Sequence, residues 1–204
     1  MSLVDDALSA LLQVVVLGGV PLLGYSIHQK WRYKRTLGEI ARRAGLQLGA
    51  PRYLVYSVIF ALAGLIILVL WSPPLEPLTR EGSAQRRFVG LGLSTQALGL
   101  AFLYGVVQTG FAEELLFRGL IAGSLARQLP LRWANLTQAF IFFLPHLFIL
   151  QFAPGMWPIL PLVFLGALTF GWIRIRSGSI LGSWLMHASG NVTMALMVAI
   201  RTSG

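Results

Sequence analysis

Polar and apolar positions fall in long blocks along this chain instead of alternating residue by residue. Predominantly apolar stretches cover residues 7–27, 53–71, 88–125, 133–152, 157–173 and 180–200. A helix that crosses a bilayer needs about twenty such residues. Barrel strands alternate and run only about ten residues, so the blocks predict helices. The pattern therefore predicts an all-α, polytopic transmembrane helix bundle with six spans, forming a single integral membrane domain over residues 1–204. The third block is too long for one straight crossing at ~1.5 Å per residue. It is expected to be tilted, broken or protruding, with Gly105 and Gly110 as candidate bends, and seven or eight crossings are the alternative count. Residues 72–87, with Pro73, Pro74 and Pro77, form a polar boundary that helix interiors do not tolerate. There is no internal repeat and no low-complexity tract.

Composition agrees with a lipid-facing surface. Of the 204 residues 56% are hydrophobic and 11% charged, and the mean hydropathy is +0.73. Soluble domains carry about a quarter charged residues, so most of the apolar surface must face lipid, where backbone groups are satisfied only within helices or closed barrels. The net charge is +9, from 16 Lys and Arg against 7 Asp and Glu. These basic residues lie mostly between the apolar blocks, which points to topology and contact with anionic membrane lipids. No nucleic-acid recognition motif accompanies them. Cysteine is absent, which excludes disulfides, thiol nucleophiles and Cys-ligated metals.

Charge also orients the bundle. Lys30, Arg32, Lys34, Arg35, Arg42, Arg43 and Arg52 crowd the connection 28–52, which the positive-inside rule assigns to the cytoplasm. Alternation then puts Arg127, Arg132, Arg174 and Arg176 on the same side and both termini outside. Asp5 and Asp6 precede the first block, where a secretory signal would carry positive charge, so the first block is expected to be a retained span. Thr36 and Glu39 have the spacing of a capping box. Leu37, Ile40, Ala41 and Ala44 share a face beside Arg42 and Arg43, the pattern of a basic interfacial helix.

Two acidic residues, Glu113 and Glu114, stand inside an apolar block. A carboxylate at the bilayer centre costs at least ~2.5 kcal/mol, so a pair needs compensation. Arg118 lies one helical turn after Glu114, where side chains at i and i+4 meet. Glu113 points ~100° around the helix from Glu114. The spacing thus pairs Glu114 with Arg118 and leaves Glu113 as the unclaimed carboxylate, a candidate general base. The plainer reading is that all three fix helix packing.

His146 and His187 lie in two further apolar blocks, and Asn191 follows His187 by four residues on the same face. His and Asn side by side form a donor set suited to stabilising an oxyanion. Phe142 precedes His146 at the same spacing and by itself reads as packing. Ser189 has no base demonstrably within reach and is dismissed as a nucleophile. Gly166, Gly171, Gly178 and Gly182 fit small-residue helix packing.

Taken in order, Glu113-Glu114-x-x-x-Arg118, Phe142-x-x-x-His146 and His187-x-x-x-Asn191 resemble the three motifs of the CAAX-protease and bacteriocin-processing family, related to the type II CAAX prenyl protease. The stretch Ala112-Glu-Glu-Leu-Leu-Phe-Arg-Gly-Leu120 resembles the family's signature. The resemblance covers residues 91–199, the motif-bearing core. It implies an intramembrane endopeptidase acting on a hydrophobic or lipid-modified peptide, such as a prenylated C-terminus or a leader peptide. By the same resemblance Glu113 activates a water held with His146, His187 and Asn191 stabilise the oxyanion, and Glu114 and Arg118 orient the site.

No cofactor is required by this reading. A zinc alternative stays open, with Glu113, His146 and His187 as three ligands and water as the fourth. The His-Glu-x-x-His signature of zinc proteases is missing, and Glu114, engaged with Arg118, leaves no second base. Two other functions compete: a proton- or ion-coupled transporter using the buried polar residues as a pathway, and a catalytically silent membrane scaffold of the same fold. The motif-bearing helix ends near Arg127, which suggests access from the inner leaflet.

Overall fold

Apolar runs in lipid fold into helices because each helix satisfies its own backbone groups. The computed structural model describes residues 3–152 and 154–204, and among these every regular element is helical. Helix α1 runs through Leu3–Gln13, Val14–Gly19 and Val20–Tyr33. It is followed by α2 (Leu37–Arg43), α3 (Pro51–Trp71) and the short α4 (Leu75–Thr79). A 3₁₀ turn at Ala84–Phe88 leads to α5 (Thr95–Leu125). Next comes α6 (Leu131–Phe152), then a 3₁₀ turn at Pro154–Ile159 that enters α7 (Leu160–Ser177), and finally α8 (Leu181–Arg201).

Among the described residues four helical stretches are both long and apolar enough to cross a membrane: Val4–Tyr33, Pro51–Trp71, Thr95–Leu125 and Pro154–Ser177. Helices α6 and α8, at 22 and 21 residues, are of spanning length, and both carry candidate site residues. The protein is thus a helical membrane bundle. Helix α8 is central, packed against α3, α5 and α7, while α6 packs on α7 and α5, and α1 leans on the first half of α5. The outward face of α3 presents Leu62, Ile66 and Leu70, all exposed, as a lipid-facing surface would.

The third block differs from its expected form in two ways. Residues 88–94 do not belong to the helix: Phe88 is buried at the end of a 3₁₀ turn, Gly90 and Gly92 take φ of 77° and 57°, and the Ser94 hydroxyl caps Ala97 N–H at 3.1 Å. Beyond Thr95 the helix does not break at Gly105 or Gly110. It widens instead into i→i+5 turns over Leu103–Phe111 and Glu114–Ala122, a distortion common at functional sites. The two glycines serve close approach. A Cβ on Gly105 would stand 2.8 Å from Val192 Cγ2 and 2.9 Å from Val192 N, and one on Gly110 would meet the Trp184 ring at 3.4 Å. They let α5 lie directly against α8, the two helices that carry most of the site. Gly171 and Gly182 do the same against Gln138 and Ser57.

Arg174 also departs from its expected place. It is buried, and its guanidinium donates to Arg118 O at 3.0 Å and Arg43 O at 2.9 Å. It therefore ties α7 to α5 and α2, whereas Arg176 two residues on is exposed.

Helix α2 opens with the capping box that its sequence indicates. Glu39 N–H donates to Thr36 Oγ1 at 3.3 Å, and Thr36 N–H donates to Glu39 Oε2 at 2.8 Å. Ile40 and Ala44 turn into the bundle while Leu37 is exposed. The bonds from the Thr36 backbone N–H and hydroxyl hold the Glu39 carboxyl below its ordinary value. A depressed carboxyl contributes stability above its unfolded pKa and loses it as pH falls through the folded pKa. Carbon-13 NMR of Glu39 should show a carboxyl titrating below the ordinary glutamate range, returning to that range in Thr36→Ala. An unchanged titration in that variant would remove the capping box as its cause.

Candidate active site

Three helices supply the polar residues. Helix α5 carries Glu113, Glu114 and Arg118, α6 carries Phe142 and His146, and α8 carries His187 and Asn191. The widened turn beginning at Glu114 still brings Glu114 Oε1 to 3.0 Å from Arg118 Nη1, with both side chains fully buried. The same oxygen lies 3.0 Å from His187 Nδ1. Glu114 is thereby claimed from two sides, by its own helix and by α8.

Glu113 has no arginine partner. Its Oε2 lies 3.8 Å from His187 Nε2, and its side chain keeps a fifth of its surface exposed. The two ring nitrogens of His187 thus face two carboxylates. His146 approaches from α6, close enough to interact electrostatically with both Glu113 and His187. Its Nδ1 is bonded to Phe142 O at 2.9 Å, which leaves Nε2 as the nitrogen free to act. Pro145 just before it lacks an N–H and so opens the helical ladder at this point.

Phe142, which reads in sequence as packing alone, holds the cluster together. Its ring lies 4.6 Å from that of His146 and 6.0 Å from that of His187, edge-on to the latter. The Arg118 guanidinium sits 4.0 Å above the Phe142 ring centre and 5.2 Å from that of Phe170. Arg118 Nε and Nη2 and Glu114 Oε2 have no protein hydrogen-bond partner among the described residues. The aromatic faces therefore carry part of the cation's compensation, each worth ~0.5–2 kcal/mol.

Asn191 is one turn beyond His187, and its side-chain N–H donates to Thr109 Oγ1 at 2.7 Å. Thr109 in turn donates to Tyr104 O at 2.8 Å, five residues back, as the widened turn allows. One amide N–H of Asn191 is anchored in this way and the other remains. Thr109, Phe170 and Arg174 are the residues that sequence reasoning missed. Thr109, four positions before Glu113, could have been flagged by helical spacing, and Arg174 by its place at the end of an apolar block. Phe170 carries no sequence signal that separates it from other core aromatics.

Among the described residues no three His, Cys, Asp or Glu side chains form a group that could hold a metal ion. Two clefts of about 470 Å³ open elsewhere on the protein, one lined by arginines at the α2 end and one by Arg52, Tyr53, Tyr56, Phe60, Trp172 and Arg176. Neither includes a residue of this cluster.

Fold and site together define a class: an integral membrane helical bundle with buried acidic, basic and imidazole side chains gathered from three helices beside the partly exposed carboxylate of Glu113. Residues 95–193, 99 of the 204, match the family described as Type II CAAX prenyl endopeptidase Rce1-like. The match spans all three motifs and covers just under half of the chain, which is similar over those residues to CAAX-type membrane proteases. No curated protein and no solved structure matches the chain.

Proposed function

We propose that this protein is an intramembrane endopeptidase in which Glu113 activates the hydrolytic water. The observation that carries the reading is the division of labour between two adjacent carboxylates. Glu114 is held at 3.0 Å by both Arg118 and His187, while Glu113 is left with only a 3.8 Å approach to His187 Nε2. That separation is too long for a direct hydrogen bond, yet one water can touch both atoms at once. His146 Nε2 completes the water's surroundings.

The chemistry then follows. Water attacks the scissile carbonyl carbon and gives its proton to Glu113. The oxyanion is met by the second N–H of Asn191 and by Nε2–H of His187, whose Nδ1 lies 3.0 Å from Glu114 Oε1. Glu113 returns the proton to the amide nitrogen, the C–N bond breaks, and a new carboxyl and a free amine leave. Helices α5 and α8, locked by Gly105 and Gly110, fix the base against the oxyanion donors, and such positioning contributes much of an enzyme's rate. The similarity to CAAX prenyl endopeptidases supports a hydrophobic or lipid-modified peptide as substrate, with prenylated C-terminal peptides the first class to test.

Purified protein in detergent, given a fluorogenic prenylated peptide, should release its C-terminal fragment. Asn191→Ala should lower that turnover by about 10²–10³ with little change in KM. No cleavage of prenylated, leader-type or transmembrane peptides by a folded preparation would overturn the protease reading.

The connection 28–52 is proposed to face the cytoplasm, on the strength of its seven basic residues. The cysteine-free chain makes this testable directly. Arg42→Cys in intact cells should resist a membrane-impermeant thiol reagent applied from outside and react once the membrane is opened. Labelling from outside would reverse the orientation.

A further inference from the structure

The cleft at the α2 end has a charge that the peptidase reading leaves unused. Its walls hold Arg35, Arg42, Arg43, Arg127 and Arg174 against a single carboxylate, Glu39. Glu39 interacts with Arg42 and Arg35, but one carboxylate offsets only a fraction of the charge on five guanidinium groups. Arg127 is close enough to Arg43 and Arg35 for the three cations to repel, and Arg174 lies near Arg127 as well. Five arginines drawn from the α1–α2 connection, α2, the α5–α6 connection and α7 converge on one volume of about 470 Å³. Like charges gathered this closely destabilise a fold unless an anion joins them.

The donor type says which anion. Guanidinium forks match the tetrahedral oxygens of phosphate and bind them in charge-assisted pairs. Basic pockets at the ends of membrane helices are a recognised way to hold phosphate headgroups. Beside the cleft, Leu37 and Leu48 are 72% and 83% exposed, so apolar surface is available next to the charge. We infer that this cleft binds a phosphate group, presented either by an anionic phospholipid at the membrane surface or by a soluble phosphate.

An occupant would also bear on the site. Arg174 lines the cleft and donates to Arg118 O at 3.0 Å, and Arg118 holds Glu114 at 3.0 Å. A phosphate that neutralises the cluster would steady Arg174, and through it the α5 turn carrying the buried pair. This inference stands on the arginine geometry and does not need the peptidase reading, so its test reads binding and not turnover.

The experiment uses the full chain in a neutral detergent. Thermal midpoint and equilibrium binding are measured against dioleoylphosphatidylglycerol, dioleoylphosphatidylcholine and inorganic phosphate, with sodium chloride matching ionic strength. Phosphatidylglycerol should bind and raise the midpoint, whereas phosphatidylcholine should not. Binding of the lipid alone identifies a headgroup as the source; binding of inorganic phosphate as well identifies the phosphate group itself as sufficient. Arg42 is exposed, so Arg42→Gln should keep the fold while weakening binding about tenfold, as loss of a charge-assisted bond predicts. Arg42→Gln/Arg43→Gln should weaken it further. Arg132→Gln, which removes an arginine outside the cleft, should stay within about twofold. The inference is overturned if neither phosphate source binds, if phosphatidylcholine binds equally, or if Arg132→Gln weakens binding as much as Arg42→Gln.

Discussion

Arg118→Met is expected to destabilise the detergent-solubilised protein by about 3–5 kcal/mol, the usual cost of removing one partner from a buried ion pair. The reason is what remains. Glu114 is fully buried, its Oε2 has no protein partner among the described residues, and Arg118 is the cation at 3.0 Å. Methionine fills the space between Phe142 and Phe170 but leaves the carboxylate without its arginine. Arg118→Lys should fall between the two, since it keeps the charge and loses the planar fork that stacks 4.0 Å above Phe142. Adding Glu114→Gln to Arg118→Met should recover part of the loss, because the stranded charge is then gone. Thermal unfolding of the three variants checks the series. A midpoint for Arg118→Met equal to that of wild type would mean that the pair does not hold the bundle together.

The long helices were legible because apolar blocks announce themselves: each of the six blocks holds one of the six long helices among the described residues, four of which are both long and apolar enough to cross a membrane. Their ends were less so. Helix α1 continues to Tyr33, beyond the expected residue 27, because Lys30 and Arg32 extend a helix that has already left its apolar run, and the chain turns only at Lys34 with φ 55°. The block 88–125 misled for the opposite reason. Phe88 and Leu91 are apolar, but Gly90 and Gly92 at positive φ and the Ser94 cap delay the helix to Thr95. The widened turns of α5 could not be read at all, since nothing in residue type distinguishes i→i+5 from i→i+4 bonding. They pack more residues into each turn, which lets a 31-residue segment remain one helix.

Pair spacing proved the most informative signal at the site. Glu114 and Arg118 meet as the i, i+4 rule predicts, and the carboxylate left over is Glu113. What spacing could not supply was the traffic between helices. That His187 would divide itself between both glutamates, or that Arg174 would reach back to Arg118 O, depends on how α5, α7 and α8 lie against one another. Arg174 looked like a topology charge because most arginines at the end of an apolar block are. Its burial follows from the close meeting of α2, α5 and α7, where two backbone carbonyls need a donor.

Glu113 is the proposed base. Glutamine has nearly the same shape as glutamate and cannot accept a proton, and Glu113 makes no ion pair with an arginine that the substitution would break. Its effect should therefore fall on chemistry and not on folding. General-base removal costs about 10²–10⁴ in rate, whereas a partly exposed side chain without an arginine ion pair among the described residues contributes little to stability. The decisive measurement is the single-turnover cleavage rate of a lipid-modified peptide by wild type and Glu113→Gln, each checked for the same melting temperature. A fall of at least about a hundredfold with an unchanged melting temperature is the predicted result. Cleavage by folded Glu113→Gln at the wild-type rate would contradict it.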